Sequence, residues 1–282
     1  PDFPELLHAL KNMGFLVSVN SNGSLLRGEL LEAVKQDPPL RFNITLYGGS
    51  NATYERLCGR AMFQEVVDNL RALKDAGIPV RLNVSVTPDN KDDVPEIFRL
   101  ARELGLHTKA STYMYPPVRL DDGRPGDAPH RFAPEDAARY MLLCREQQFT
   151  LEELRASAAG VPLSDGDECT GNAEGEPVLC RAGRSSFWLT WDGRMIPCGM
   201  MASPGTPVLE QGFSAAWRSV RTEVEAIRLP AACAGCALRR HCNLCAASCF
   251  AETGDYDRKP DYICSLTHTL CRITREKYGT ED

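Results

Sequence analysis

The feature that most constrains the fold of this chain is a run of five cysteines within seventeen residues, CAGCALRRHCNLCAASC (233–249). Disulfide frameworks are typical of small secreted chains that cannot build a hydrophobic core. This chain has 282 residues, of which 43% are hydrophobic, so it can bury a core. Cysteines separated by two residues, such as Cys233 and Cys236, are also poorly placed to bridge each other. Disulfides are therefore the less favoured alternative, and the run predicts metal-binding thiolates.

Zinc and iron–sulfur clusters are the two kinds of metal group that these thiolates suggest. A zinc ribbon uses two Cys-x2-Cys pairs about 15–20 residues apart. Here the pairs 233/236 and 242/245 are separated by only five residues. One zinc ion takes four thiolates and leaves the others unexplained, whereas two iron–sulfur clusters account for about eight. The spacing favours iron–sulfur clusters, with a zinc-binding structural domain as the alternative.

The first 118 residues alternate between strand patterns and helix patterns. In RFNITLYGG (41–49) and PVRLNVSVTP (79–88), apolar and polar residues alternate, as they do in strands. Strands that alternate with helices predict a parallel sheet with right-handed crossovers, and hence an α/β fold. The predicted elements are strands at 15–23, 41–49, 79–88 and near 107–114, and helices at about 60–76 and 93–104.

One face of this predicted sheet is polar, which is unusual because parallel strands are commonly apolar on both faces. Asn43, Thr45, Asn83 and Ser85 share that face in two successive strands. A solvated edge strand is one explanation. A curved sheet whose concave face lines a polar ligand cavity explains the repetition better, since ligands sit at the C-terminal ends of such strands.

The second part of the chain has a different pattern of predicted helices and strands, so we place a domain boundary near residue 158. This boundary divides the chain into domains at 1–158 and 159–282. SFWLTWDGRMIPC (186–198) predicts a β-hairpin with Asp192-Gly193 at its turn. The other predicted elements are loops at 119–132 and 161–179, and helices at about 133–157, at 213–227 and from about 261.

The cysteines of the second part of the chain form a spaced pattern. It consists of Cys180-x12-Gly193-x4-Cys198, Cys233-x2-Cys236-x5-Cys242, a further nearby cysteine, and Cys264. This pattern resembles that of the SPASM domain, the C-terminal extension of radical S-adenosylmethionine (SAM) enzymes. The first part of the chain agrees, because NSNG (20–23) and ITLYGGSNATYERLCG (44–59) resemble strand ends of the radical SAM barrel. The resemblance covers nearly the whole chain and implies two auxiliary [4Fe–4S] clusters.

The resemblance also implies which cysteines hold each cluster. The second cluster would use Cys233, Cys236, Cys242 and Cys264. The first would use Cys180, Cys198, Cys245 and a fourth thiolate, for which Cys169 is the nearest candidate.

The chain departs from the family at one of these positions, where Cys245 and Cys249 both offer a thiolate. Seven residues separate Cys245 from Thr253-Gly254-Asp255, as in the family, which favours Cys245. Cys249 lies four residues further on and would share the same helix face, so it could replace Cys245 as a ligand. Cys58, Cys144 and Cys271 are isolated and are predicted to be buried apolar residues.

The Cys-x3-Cys-x2-Cys motif that binds the SAM cluster in this family is absent from the sequence. PDFPELL (1–7) resembles the sequence segment that follows the family's Gly-Gly-Glu-Pro turn. We therefore expect an N-terminally truncated chain with a partial barrel that lacks its first strands. We also expect this chain, as given, not to cleave SAM.

The resemblance implies an oxidoreductase or maturase that modifies a peptide or protein side chain by 5′-deoxyadenosyl radical chemistry. Its cofactors would be the two auxiliary clusters and, in the full-length protein, SAM with a third [4Fe–4S] cluster. Asn20, Thr45, Asn83 and Ser85 would contact SAM, and a flavodoxin or ferredoxin would donate electrons. Some members of the family act instead on small molecules such as tetrapyrroles. A non-catalytic iron–sulfur module for electron transfer is the alternative from another class.

Charge and hydropathy indicate which classes of partner this chain is not expected to bind. The net charge is −6, which gives no basic patch for nucleic acid. No apolar run approaches the ~20 residues of a membrane helix. We expect a cytoplasmic protein with neither a nucleic-acid partner nor a membrane partner.

Overall fold

A computed structural model describes residues 2–116, 124–126, 128–163, 178 and 180–279. The chain forms two compact units. The first comprises Pro1–Tyr113 with Leu143–Phe149, and the second comprises Met114–Leu142 with Thr150–Asp282. These two units are defined by contacts between residues and do not test the domain boundary predicted near residue 158. That boundary therefore stays a prediction.

The first unit is built on a four-stranded parallel sheet in the order β1-β2-β3-β4. This arrangement confirms the predicted α/β class. Its elements are α1 (Phe3–Asn12), β1 (Ser18–Ser21), α2 (Gly28–Gln36), β2 (Arg41–Thr45), α3 (Asn51–Cys58), α4 (Phe63–Asp75), β3 (Val80–Ser85), α5 (Val94–Leu104) and β4 (His107–Ser111).

Burial follows the period of two in the central strands of this sheet. Phe42 and Ile44 of β2 and Leu82 of β3 are fully buried, and their sequence neighbours are only half-buried. On the helix side, Val66 and Leu70 of α4 recur at helical spacing and are also buried. The core of the unit therefore lies between one face of the sheet and its helices, as the alternating sequence predicts.

Helix α3 was not predicted, because its eight residues mix apolar and polar side chains without a clear apolar stripe. Its start is nevertheless encoded locally. Ser50 is the N-cap, and its Oγ accepts a hydrogen bond from the Thr53 backbone N–H at 3.2 Å. The left-handed Gly59 (φ 70°) ends the helix.

The second unit combines helices with a small antiparallel sheet in the order β5-β6-β7. The predicted hairpin is confirmed, with Gly193 at φ 79° in its turn. The elements are α6 (Pro134–Gln148, whose last residues belong to the first unit), α7 (Leu151–Ala158), β5 (Trp188–Leu189), β6 (Arg194–Ile196), β7 (Thr206–Pro207), α8 (Val208–Gln211), α9 (Phe213–Ala226), α10 (Ala246–Thr253) and α11 (Asp261–Tyr278).

The single helix predicted at 133–157 is wrong, because the chain forms two helices there, α6 and α7. Thr150 caps α7 through a capping box. The Glu153 N–H donates to Thr150 Oγ1 at 3.3 Å, and the Thr150 N–H donates to Glu153 Oε2 at 2.7 Å. This reciprocal pair satisfies backbone donors that a continuous helix would have paired internally.

Two apolar clusters stabilise the second unit. One contains Met195 of β6, Val220 and Val224 of α9, and Ala246 and Ala247 of α10. The other joins α6 to α11 through Ala138, Leu142 and Leu270. Among the described residues, no helix is both long and apolar enough to cross a membrane.

Candidate functional site

Four of the predicted cysteines line one pocket in the second unit. They are Cys233, Cys236, Cys242 and Cys264, and each is half-buried. Leu244 and Ile263 supply an apolar wall. The fold therefore brings to one pocket the four residues that the resemblance assigns to the second cluster.

Short turns place the first three of these cysteines. Two single 3-10 turns, Ala231–Cys233 and Arg239–His241, bend the chain around the pocket. The Cys236 N–H donates to the Cys233 carbonyl at 3.4 Å, and Arg239 Nη1 donates to the Cys242 carbonyl at 3.1 Å. Cys264 arrives from far along the chain, in the first turn of α11.

The electrostatics of this pocket reflect the closeness of the thiols. Burial raises the pKa of Cys233, and negative charge on Cys242 raises it further, while Arg239 opposes this rise. The pKa of Lys259 is raised chiefly by the Cys264 thiolate. Arg239 and Lys259 both line the pocket, so two cations face the four sulfur atoms. Cations favour the thiolate form that metal binding requires.

A second set of cysteines, Cys180, Cys198 and Cys245, packs against the apolar cluster that contains Met195. Backbone amides donate to two of these sulfur atoms. The Met200 N–H lies 3.4 Å from Cys198 Sγ, and the Ser248 N–H lies 3.4 Å from Cys245 Sγ. Hydrogen bonds from backbone amides to sulfur are a feature of iron–sulfur sites, so this environment suits cluster ligands.

Cys245 and Cys249 lie in different environments although one helical turn separates them. Cys245 is the N-cap of α10 and is half-buried, with the Tyr115 hydroxyl 3.9 Å from its sulfur. Cys249 is fully buried, and that burial, followed by the charge on Cys245, raises its pKa. Only Cys245 packs with Cys180 and Cys198 against the apolar cluster.

Four other cysteine predictions have different outcomes. Cys169 lies outside the described residues, so its role stays a prediction. Cys144 is buried as predicted. The predicted burial is wrong for Cys58, which is exposed at the end of α3, and for Cys271, which is only half-buried.

In the described part of the chain, no group of three His, Cys, Asp or Glu side chains is arranged as the ligands of one metal ion. The thiols of the four-cysteine set instead surround a pocket. A four-iron cluster is larger than one ion and takes one thiolate per iron, so this arrangement fits a cluster.

The four residues predicted to contact SAM lie on one face of the first unit's sheet. The register aligns Thr45 with Asn83, and Ser85 and Asn20 follow the same alternation on their strands. The opposite face carries the buried apolar residues. All four side chains are half-buried or exposed. The structure therefore groups them on the face away from the apolar core.

This polar face also contains residues outside the predicted set. Asn43 Nδ2 donates to Asn20 Oδ1 at 2.8 Å, so these two side chains are paired. Asn43 Oδ1 and Arg41 Nε are buried, and neither has a hydrogen-bond partner among the described residues. A buried polar atom without a partner is costly, and a ligand or a water molecule can supply one.

A buried ion pair in the second unit was missed by the sequence analysis. Arg131 and Glu252 meet at 2.8 Å, with 16% and 5% of their side chains exposed. Arg131 also donates to the Gly126 carbonyl at 2.8 Å and lies 4.0 Å from the centre of the Tyr262 ring. Glu252 is in α10, which follows Cys245, and Tyr262 is in α11, which carries Cys264. Arg131 contacts both residues and so connects the two helices.

Comparison with known proteins agrees with this architecture. Residues 1–117 match the sequence model of the Radical SAM superfamily. The parallel sheet of the first unit agrees with this match. The chain thus has a partial β/α radical SAM fold followed by a small cysteine-rich domain, as predicted.

Particular relatives resemble different lengths of the chain. The AdoMet-dependent heme synthase of Methanosarcina barkeri is 23% identical over 275 residues, which cover 93% of this chain and 78% of that protein. A probable GTP 3′,8-cyclase of Saccharolobus islandicus (strain L.S.2.15 / Lassen #1) is 31% identical over 108 residues. That match covers 38% of this chain and 35% of the cyclase, so the chain spans about a third of the cyclase.

Two solved structures show the same fold over almost the whole chain. Native anSMEcpe with bound AdoMet and Kp18Cys peptide superposes with a TM-score of 0.69 at 13% identity, covering 98% of this chain and 79% of that one. Streptococcus suis SuiB bound to S-adenosylmethionine gives a TM-score of 0.62 at 15% identity. That superposition covers 93% of this chain and 62% of SuiB.

Proposed function

We propose that this chain is the C-terminal part of a radical SAM/SPASM enzyme that modifies a peptide or protein side chain. The observation that carries the proposal is that four cysteines line one pocket, while three others pack against one apolar cluster. The match of residues 1–117 to the Radical SAM superfamily supports the same reading. When bound, the auxiliary clusters supply electron transfer or substrate binding.

Each cysteine set has a role in holding one cluster. Cys233, Cys236, Cys242 and Cys264 hold the second auxiliary cluster, with Arg239 and Lys259 offsetting the charge of its thiolates. Cys180, Cys198 and Cys245 would hold the first, and Cys169, which lies outside the described residues, is the candidate for its fourth ligand. The backbone amides of Met200 and Ser248 stabilise the thiolates of Cys198 and Cys245.

The polar sheet face has the role of binding SAM in the longer protein. Asn20, Thr45, Asn83 and Ser85 offer hydrogen bonds to its ribose and carboxylate, and the unpartnered Asn43 Oδ1 offers another. Strand β1 lies at the edge of the sheet, near the exposed Phe15 and Leu16. An open edge with exposed apolar neighbours supports the proposal that further barrel strands pair there.

The substrate class is proposed from structures of proteins that share the fold. SuiB has been crystallised with the precursor peptide SuiA, and anSMEcpe with the Kp18Cys peptide. A small molecule is the second candidate, because the heme synthase of M. barkeri aligns with 93% of this chain. A flavodoxin or ferredoxin supplies electrons, and the protein works in the cytoplasm.

Metal analysis of the reconstituted protein tests this proposal. After anaerobic reconstitution we expect about eight irons and eight sulfides per chain, as two clusters of four require. Zinc at one or two ions per chain, with little iron, would contradict the cluster assignment.

An activity assay tests the division of roles between the two halves. The reduced chain is incubated with SAM, and 5′-deoxyadenosine is measured. The same assay is run on a protein extended upstream through a three-cysteine loop. We expect product only from the extended protein, because a cluster with four cysteine ligands has no iron open to SAM. Product from the chain as given would refute that division.

A further inference from the structure

An arginine pocket lies in the second unit beside the first cysteine set. It is an open cavity of about 590 Å³, and Cys180 is one of its lining residues. The arginines of this pocket are Arg181, Arg184 and Arg221. Among the described residues that line the cavity, Glu225 is the acidic one.

The local fold holds two of these arginines in a tight turn. The backbone N–H groups of Arg184 and Ser185 both donate to the Arg181 carbonyl at 3.0 Å. Gly183 occupies the left-handed region at φ 64°, and a Cβ there would lie 2.7 Å from a Val224 methyl group. Only glycine lets the turn approach α9 this closely.

The third arginine is presented by α9 itself. Arg221 lies three residues before Val224, on the part of the helix that the turn contacts. Its Nε donates to Glu225 Oε1 at 3.0 Å, but both side chains are 57% exposed. An exposed ion pair of this kind contributes little to the stability of a protein. Arg221 can therefore turn to an incoming anion at little cost.

We propose that the arginine pocket binds carboxylate groups of the substrate and so positions it beside the first auxiliary cluster. This inference rests on the proposed function, which it deepens by making the substrate anionic. Guanidinium groups pair with carboxylates through two parallel hydrogen bonds, and several of them around one cavity favour a ligand with more than one acidic group. Acidic side chains of a peptide and the carboxylates of a tetrapyrrole share this chemistry.

Binding to the reconstituted protein tests the inference. The probes are a fluorescent glutamate-rich peptide, its glutamine counterpart, a porphyrin with free carboxylates, and inorganic tripolyphosphate as competitor. The pocket variant is Arg181→Gln/Arg184→Gln/Arg221→Gln. The matched control is Arg99→Gln/Arg139→Gln/Arg272→Gln, which removes three exposed arginines on other helices.

We expect a carboxylate probe to bind at least tenfold more weakly to the pocket variant, and to bind the control within twofold of the unmodified protein. The peptide and porphyrin arms show which source of carboxylate the pocket prefers. Equal losses in the two variants, equal binding of the glutamine peptide, or stronger competition by tripolyphosphate than by either carboxylate would overturn the inference. Iron and sulfide are measured on the same samples, so a failure of the cluster assignment is seen separately from a failure of carboxylate binding.

Discussion

The ion pair between Arg131 and Glu252 should be a main determinant of the second unit's stability. Glu252→Gln keeps the shape of the side chain and removes its charge. The Arg131 guanidinium, only 16% exposed, would then lack its carboxylate partner. Breaking a buried pair on one side costs about 3–5 kcal/mol. The Gly126 carbonyl and the Tyr262 ring still contact Arg131, so we expect the lower end, about 3 kcal/mol.

Urea unfolding followed by tryptophan fluorescence measures this change. All three tryptophans, Trp188, Trp191 and Trp217, lie in the second unit, so the signal reports its unfolding. The matched control is Glu276→Gln, which breaks the exposed pair with Arg272, whose side chains are 60% and 59% exposed. That change should cost less than about 0.5 kcal/mol. Equal effects of the two variants would refute the importance given to burial.

Three further experiments test the sites described above. Cys245→Ala should lose about four irons, one cluster's content, while Cys249→Ala keeps most of its iron; the reverse result would assign the ligand to Cys249. In native protein at pH 8, iodoacetamide should label the exposed Cys58 and spare Cys144, because burial raises the pKa of Cys144 to about 12. Mass spectrometry before and after unfolding measures the labelling of each cysteine. Labelling of Cys144 before unfolding would contradict this expectation. Gly183→Ala should destabilise the second unit by about 1–3 kcal/mol and weaken carboxylate binding, since it strains φ and meets Val224. Gly105→Ala, at a similar φ of 63° and with no neighbour within 4 Å, isolates the cost of strain alone.

The parallel sheet could be predicted from sequence because its signals are local. Phe42, Ile44 and Leu82 alternate with polar residues, and that alternation specifies which face is buried. The break between α6 and α7 was missed, although Thr150 and Glu153 have the spacing of a capping box. Helical periodicity on both sides obscured that signal.

The candidate sites differ in how much of them the sequence contains. The grouping of Cys233, Cys236 and Cys242 is local, so their spacing suffices to predict it. The pairing of Arg131 with Glu252 joins positions 121 residues apart, and no sequence pattern around either residue indicates the ion pair. Likewise, the arginine pocket depends on how closely Gly183 approaches α9, which only the folded chain shows.

The open edge of β1 has a practical consequence for the isolated chain. In the described part of the sheet, β1 pairs with β2 on one side only, so its other backbone N–H and C=O groups remain available. Phe15, with 59% of its surface exposed, and Leu16, with 83%, lie just before the strand. Such an edge can pair with the same edge of another molecule unless charged side chains protect it. Expressed alone, the chain should therefore self-associate as its concentration rises, and a lysine at Leu16 should keep it dispersed.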